Sequence, residues 1–149
     1  MSFPKLKRLR RIEGTFYKAV LLTAASYVLN FPKKVEHFQV LSSAAGQTIT
    51  LPASTGKGGV LRMYVGTTIS SGSTVIRVKT STDVINGIVG VGTSAFQSAS
   101  NTNTITLNGT TTGGVVGGYI ELQDVLPGQW LIQSNLNATG TFATPFSNT

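Results

Sequence analysis

Beyond residue 34 the chain alternates apolar and polar side chains with a period of two, in runs too short for anything but strands. Phe38 and Val40 share one face of residues 36–41, and Ile49 and Leu51 sit between threonines. Leu61, Met63 and Val65 alternate with Arg62 and Tyr64, and Ile76 and Val78 oppose Arg77 and Lys79. Ile105 and Leu107 repeat the threonine alternation, Ile120 and Leu122 oppose Glu121 and Gln123, and Trp130 and Ile132 flank Leu131. Gly, Ser, Asn or Pro bounds each run, as at Asn86-Gly87, Asn108-Gly109 and Pro127-Gly128. Seven or so short strands with such turn signals predict an all-β domain, an antiparallel β-sandwich or small barrel of jelly-roll or tulip-like form. The glycine-broken stretch 84–92 reads as a bulged or buried strand, and residues 95–103 read as a solvated loop.

The surface chemistry agrees with strands. Thr, Ser and Gly make up 52 of the 149 residues, while charged residues are 11%, against a usual share of about 25%. Outward positions are therefore polar through hydroxyls, as on a solvated sheet face. The chain is long enough for one domain with a real core, and it has no cysteine for disulfides or thiolate metal sites. One internal echo stands out: QTITLPASTGKGGVLRMYVG at 47–66 and NTITLNGTTTGGVVGGYIEL at 103–122 each run from a TITL strand through a small-residue loop into a second strand. They suggest two related hairpin-like units, too few for a repeat array.

The formal charge of +7 is confined to the start of the chain. Lys5, Lys7, Arg8, Arg10, Arg11, Lys18, Lys33 and Lys34 face Glu13 alone within residues 1–34, whereas residues 35–149 balance four basic against four acidic groups. Leu6, Leu9 and Ile12 have a spacing that gathers them on one face of a short helix, which Gly14 stops. The expected organisation is an extended, basic N-terminal docking arm over 1–34 and an all-β domain over 35–149. Basic groups together with Phe16, Tyr17, Leu21, Leu22, Tyr27 and Phe31 would meet a partner, and the arm would order on binding.

Rival readings of this segment are the first strands of the domain, a secretory signal, a membrane span and a nucleic-acid contact. Glu13, Thr23, Ser26 and Tyr27 argue against a signal, and the uncharged stretch between Lys18 and Lys33 is shorter than the roughly 20 residues a span requires. The Lys5–Arg11 cluster can neutralise phosphates, yet no spaced aromatic signature follows it. Neither nucleic acid nor membrane is expected as a partner.

Groups for chemistry are scarce. His37 is the single histidine, flanked by Glu36 and Phe38 in a strand pattern, and no serine lies in a G-x-S-x-G elbow. Glu121 falls on the outward face of its strand, and Asp124 is placed to begin the turn before Pro127, so no carboxylate pair is expected. Calcium loops need several oxygen ligands in close succession, which the sequence lacks. Residues 55–59, TGKGG, fail the phosphate-loop pattern at both ends. The triplets at Asn108 and Asn137 match a glycosylation acceptor and fit chance in so Asn- and Thr-rich a chain. Neither catalytic nor metal nor cofactor-binding residues are expected.

The run from TITLPASTG at 48–56 to PGQWLIQS at 127–134 resembles head-decoration (capsid cement) proteins of tailed phages. The likeness rests on T-L-P-x-x-T-G at 50–56, V-G-T and S-G at 65–67 and 71–72, I-x-V at 76–78, TITLNGTTTGG at 104–114, I-E-L at 120–122 and Trp130. It spans roughly residues 47–134, and no family pattern is visible in residues 1–34. The resemblance implies a non-enzymatic protein on the outer surface of a virion. Such a protein binds the major capsid protein, commonly as a homotrimer, and braces the shell against DNA pressure. The docking residues would be Lys5, Lys7, Arg8, Arg10, Arg11, Phe16, Tyr17, Lys18, Lys33 and Lys34. The alternatives are a head-fibre protein reading host glycans through Tyr64, Tyr119 and Trp130, a cellular carbohydrate-binding module, and a small hydrolase.

Overall fold

The computed structural model describes residues 18–31 and 37–149, which form two sheets packed as a sandwich. The strands in chain order are β1 (Lys18–Leu22), β2 (Ser26–Val28), β3 (His37–Leu41), β4 (Thr48–Thr50), β5 (Val60–Val65) and β6 (Thr74–Arg77). They continue as β7 (Val84–Val91), β8 (Ser94–Gln97), β9 (Thr104–Leu107), β10 (Val115–Leu126), β11 (Gln129–Asn137) and β12 (Phe146–Ser147). One sheet has the order β1-β3-β5-β10-β11-β7-β8 and the other β12-β9-β6-β4-β2.

From β1 to β6 the chain changes sheet at every strand, odd strands in the large sheet and even strands in the small one. Strands two apart in sequence thus become neighbours running the same way, and β1-β3, β3-β5, β2-β4 and β4-β6 are all parallel ladders. The expected sandwich is present, with ladders of both senses. The long β10–β11 hairpin supplies the antiparallel centre, its tight turn made by Pro127-Gly128.

Burial follows the two-residue period. Leu61, Met63 and Val65 point inward from β5, Ile120 and Leu122 from β10, and Trp130, Ile132 and Leu136 from β11. Ile49, Ile76, Ile105 and Leu107 answer them from the small sheet. Each such side chain contributes about 1.5–3 kcal/mol by leaving water. Within the stretch 84–92, Val84–Val91 form β7, parallel to β11, and Gly87 shows why a glycine is needed there. Its φ of 141° is one that side-chain-bearing residues rarely adopt, and a Cβ there would press into the Ile132 carbonyl.

Three expectations need correction. Residues 95–97 belong to β8, which pairs with β7, and Thr102 and Asn103 are buried, so the solvated loop is confined to residues 98–101. SAFQ carries a single large apolar residue, too little alternation to read as a strand. The two TITL units are not hairpins, because β4 and β9 lie in the small sheet while β5 and β10 lie in the large one. The echo survives as a shared corner: β4 and β9 both flank β6, and β5 and β10 pair with each other. Asp124 does not begin a turn; it lies within β10 with no exposed surface.

Candidate docking surface

Of the segment expected as an arm, residues 18–31 form strands of the sandwich, and residues 1–17 and 32–34 lie outside the described residues. Strand β1 is the outermost strand of the large sheet and β2 the outermost of the small one, so the N-terminal coil closes one side of the molecule. The turn between them is held by Tyr27, whose phenol oxygen accepts the Thr23 and Ala24 amides at 2.7 and 2.8 Å. The Ala24 amide is the main cause that holds the Tyr27 phenol below its usual range. Thr48 N–H donates to the Ala25 carbonyl, Ser42 N–H to Leu22 and Leu29 N–H to Thr50, which ties the coil to β3 and β4.

Several residues expected to meet a partner are already used inside the molecule. Leu22 is 3% exposed and lies in the core. Tyr27 and Phe31 pack against that core, and the Phe31 ring stacks on Trp130 with centroids 5.6 Å apart and planes at 19°. What remains outside is Lys18 on β1, Leu21 at 64% and Val28 at 63% exposure. An edge strand also leaves alternate backbone N–H and C=O groups unpaired on its outer side. Among the described residues nothing pairs with the outer side of β1, so this side of the sandwich offers exposed apolar side chains, an open strand edge and a lysine together. Of the ten expected docking residues, Lys18 is the one the structure places; Lys5, Lys7, Arg8, Arg10, Arg11, Phe16, Tyr17, Lys33 and Lys34 lie outside the described residues. Leu21 was grouped with them by its apolar character, whereas Val28 was not. The parity of S-Y-V, with Tyr27 turned in, would have pointed Val28 outward.

The carboxylates do structural work. Asp124 accepts hydrogen bonds from Ser54 Oγ (3.0 Å), Thr55 N–H (2.9 Å), Thr55 Oγ1 (2.6 Å), Gly56 N–H (2.6 Å) and Lys57 N–H (3.3 Å). Burial pushes its pKa up, but the donors from Thr55, Gly56 and Ser54 outweigh that and hold the carboxyl below its usual range. Asp83, also buried, accepts Ser54 N–H at 3.0 Å. The two acids thus pin the loop after Leu51. On the outer face of the large sheet, Arg62 and Glu121 pair at 2.9 Å, and Tyr119 Oη donates to Glu121 at 2.8 Å.

Among the described residues, no three or more His, Cys, Asp or Glu side chains converge as metal ligands, and no helix is long and apolar enough to cross a membrane. Trp130 is fully enclosed, which removes it as a stacking platform for sugars. Comparison with protein-family models, curated proteins and solved structures gives no match for this chain.

Proposed function

We propose that this chain is a non-enzymatic structural protein of a virus particle that binds the outer surface of a phage capsid through its N-terminal side and reinforces the shell. The observation that carries the reading is the position of β1 and β2. They are the first strands after the basic stretch of sequence and, among the described residues, form the outermost strands of both sheets, so that Lys18 shares an edge with Leu21 and Val28. The remaining body is neutral and rich in hydroxyls, a surface that suits prolonged exposure to solvent.

An extended segment of the capsid protein can add to the β1 edge by backbone hydrogen bonds. Acidic residues beside that segment would meet the cations, and Leu21 and Val28 would be covered. A contact that bridges two capsid subunits opposes their separation, and many copies add up over the shell. The second reading, a head-fibre protein that binds host glycans, is left with Tyr64 and Tyr119, which lie beside Phe38 on the outer face of the large sheet.

The mixed contact has a measurable signature. Binding to capsids lacking the protein is expected to weaken on raising salt to about 0.5 M, where the Debye length is about 4 Å, and to persist in part. The variant Leu21→Asp should lower the residual, salt-resistant binding by at least roughly tenfold, since about 1.4 kcal/mol of apolar burial is lost. Complete loss of wild-type binding at that salt would replace the mixed contact by a purely ionic one. Glycan binding with no capsid affinity would favour the second reading.

A further inference from the structure

The small sheet turns Arg77 outward at the end of β6, because Ile76 beside it points into the core. The ladders place Thr50 of β4 on one flank of Arg77 and Thr104 of β9 on the other. Lys79, two residues on, is also exposed. With Ser81 these side chains line a cavity of about 380 Å³. Another wall is fixed by buried polar groups. Asn103 donates through Nδ2 to Asn148 Oδ1 at 2.7 Å and to the Thr149 carbonyl at 3.2 Å, and its Oδ1 accepts the Thr149 amide at 3.1 Å. Thr104 Oγ1 lies 2.9 Å from Thr149 Oγ1, so the last residues of the chain are held beside the cations.

We propose that this cavity binds a small organic oxyanion, a carboxylate or a phosphate ester. Its cations lack a counter-charge: among the described residues Asp83 and Asp124 accept from the loop at 54–57, Glu121 pairs with Arg62, and no carboxylate ion-pairs with Arg77 or Lys79. Arg77 Nε makes one long contact, to Thr50 Oγ1 at 3.4 Å. Its two terminal nitrogens, Lys79 Nζ and Ser81 Oγ have no partner among the described residues. Thr149 lines the cavity as well, and a carboxylate there still leaves the two cations one positive charge in excess. A guanidinium and an ammonium give an oxyanion short, charge-assisted hydrogen bonds, and the Ser81 hydroxyl adds a neutral donor. The volume falls in the range of small-molecule sites, which leaves room for a carbon body beside the charged group. The site lies on the small sheet, apart from Tyr64 and Tyr119 of the large one, and the inference is independent of capsid binding.

The test is titration of the full chain, without capsids, followed by amide chemical shifts in ¹H–¹⁵N spectra. Three probes share one hexose body: glucuronate, glucose 6-phosphate and uncharged glucose. At least one of the two charged probes is expected to saturate shifts at residues 77–81 and 103–104 with a Kd of about 1 mM or tighter, and the stronger of them tells carboxylate from phosphate. Glucose should leave those amides unmoved. The double variant Arg77→Gln/Lys79→Gln, at two exposed positions, should bind at least roughly tenfold more weakly while melting as the wild type does. Lys57→Gln removes the same charge from a residue that does not line the cavity and should bind as the wild type does. The comparison of charged and uncharged probes uses the wild-type chain and so stands even if the double variant melts early. No saturable shift with either charged probe, shifts with glucose equal to theirs, or a natively folded double variant that binds as tightly as the wild type would overturn the inference.

Discussion

Asp124 shows how much one residue can organise here. Five donors from residues 54–57 converge on a carboxylate that has no solvent of its own. Hydrogen bonds to a charged group are worth about 1.5–3 kcal/mol each when one partner is removed, and they are not additive. Asp124→Ala should cost about 3–5 kcal/mol, read as a lower urea midpoint with an unchanged slope. Asp124→Asn keeps the shape but turns an amide N–H₂ toward donors, and should recover only part of that loss. Because the folded pKa lies below the ordinary 3.8, the ionised carboxylate stabilises the fold above that pH, and the contribution disappears as pH falls from 3.8 toward the folded value. An acid titration of stability should therefore steepen below pH 3.8 in wild type and flatten there in Asp124→Asn. The residue was legible in part: Asp124 continues the inward parity of Ile120 and Leu122, but a charge at a third inward position reads as the end of a strand.

The N-terminal coil is the element whose role changed most between sequence and structure. Apolar residues in 15–31 are equally consistent with an arm seeking a partner and with strands covering their own core, because composition carries no information about which surface is met. Leu22, Leu29 and Phe31 meet the core of this same chain. Phe31→Ala should destabilise by about 2–3 kcal/mol, below the full cost of a buried phenylalanine because the ring is half-buried. It should also red-shift the emission of Trp130, the single tryptophan, as water gains access to the indole. An unshifted spectrum would contradict the stacking. Strand positions in the body were legible because each buries one face, whereas their partners were not. A two-residue period does not reveal that alternate strands change sheet, and that alternation makes the N-terminal ladders parallel.

At the scale of the molecule, charge segregation and an all-β body were readable from sequence, and the sandwich carries both into a shape. Strands β1 and β2, which follow most of the basic stretch in sequence, make one edge, and the opposite ends of the sheets are β8 and β12. Where the chain enters its fold decides how the docking segment must be tested. Deleting residues 1–34 would remove β1 and β2 and expose the core, so any loss of binding would report unfolding. A deletion that stops at residue 17 leaves both outer strands in place. The most direct measurement is co-sedimentation of the purified chain with capsids that lack it, comparing the full chain, the chain without residues 1–17, and Leu21→Asp. The account predicts saturable binding by the full chain and weaker binding by each variant, all with native melting. No binding by the full chain at low salt would contradict it.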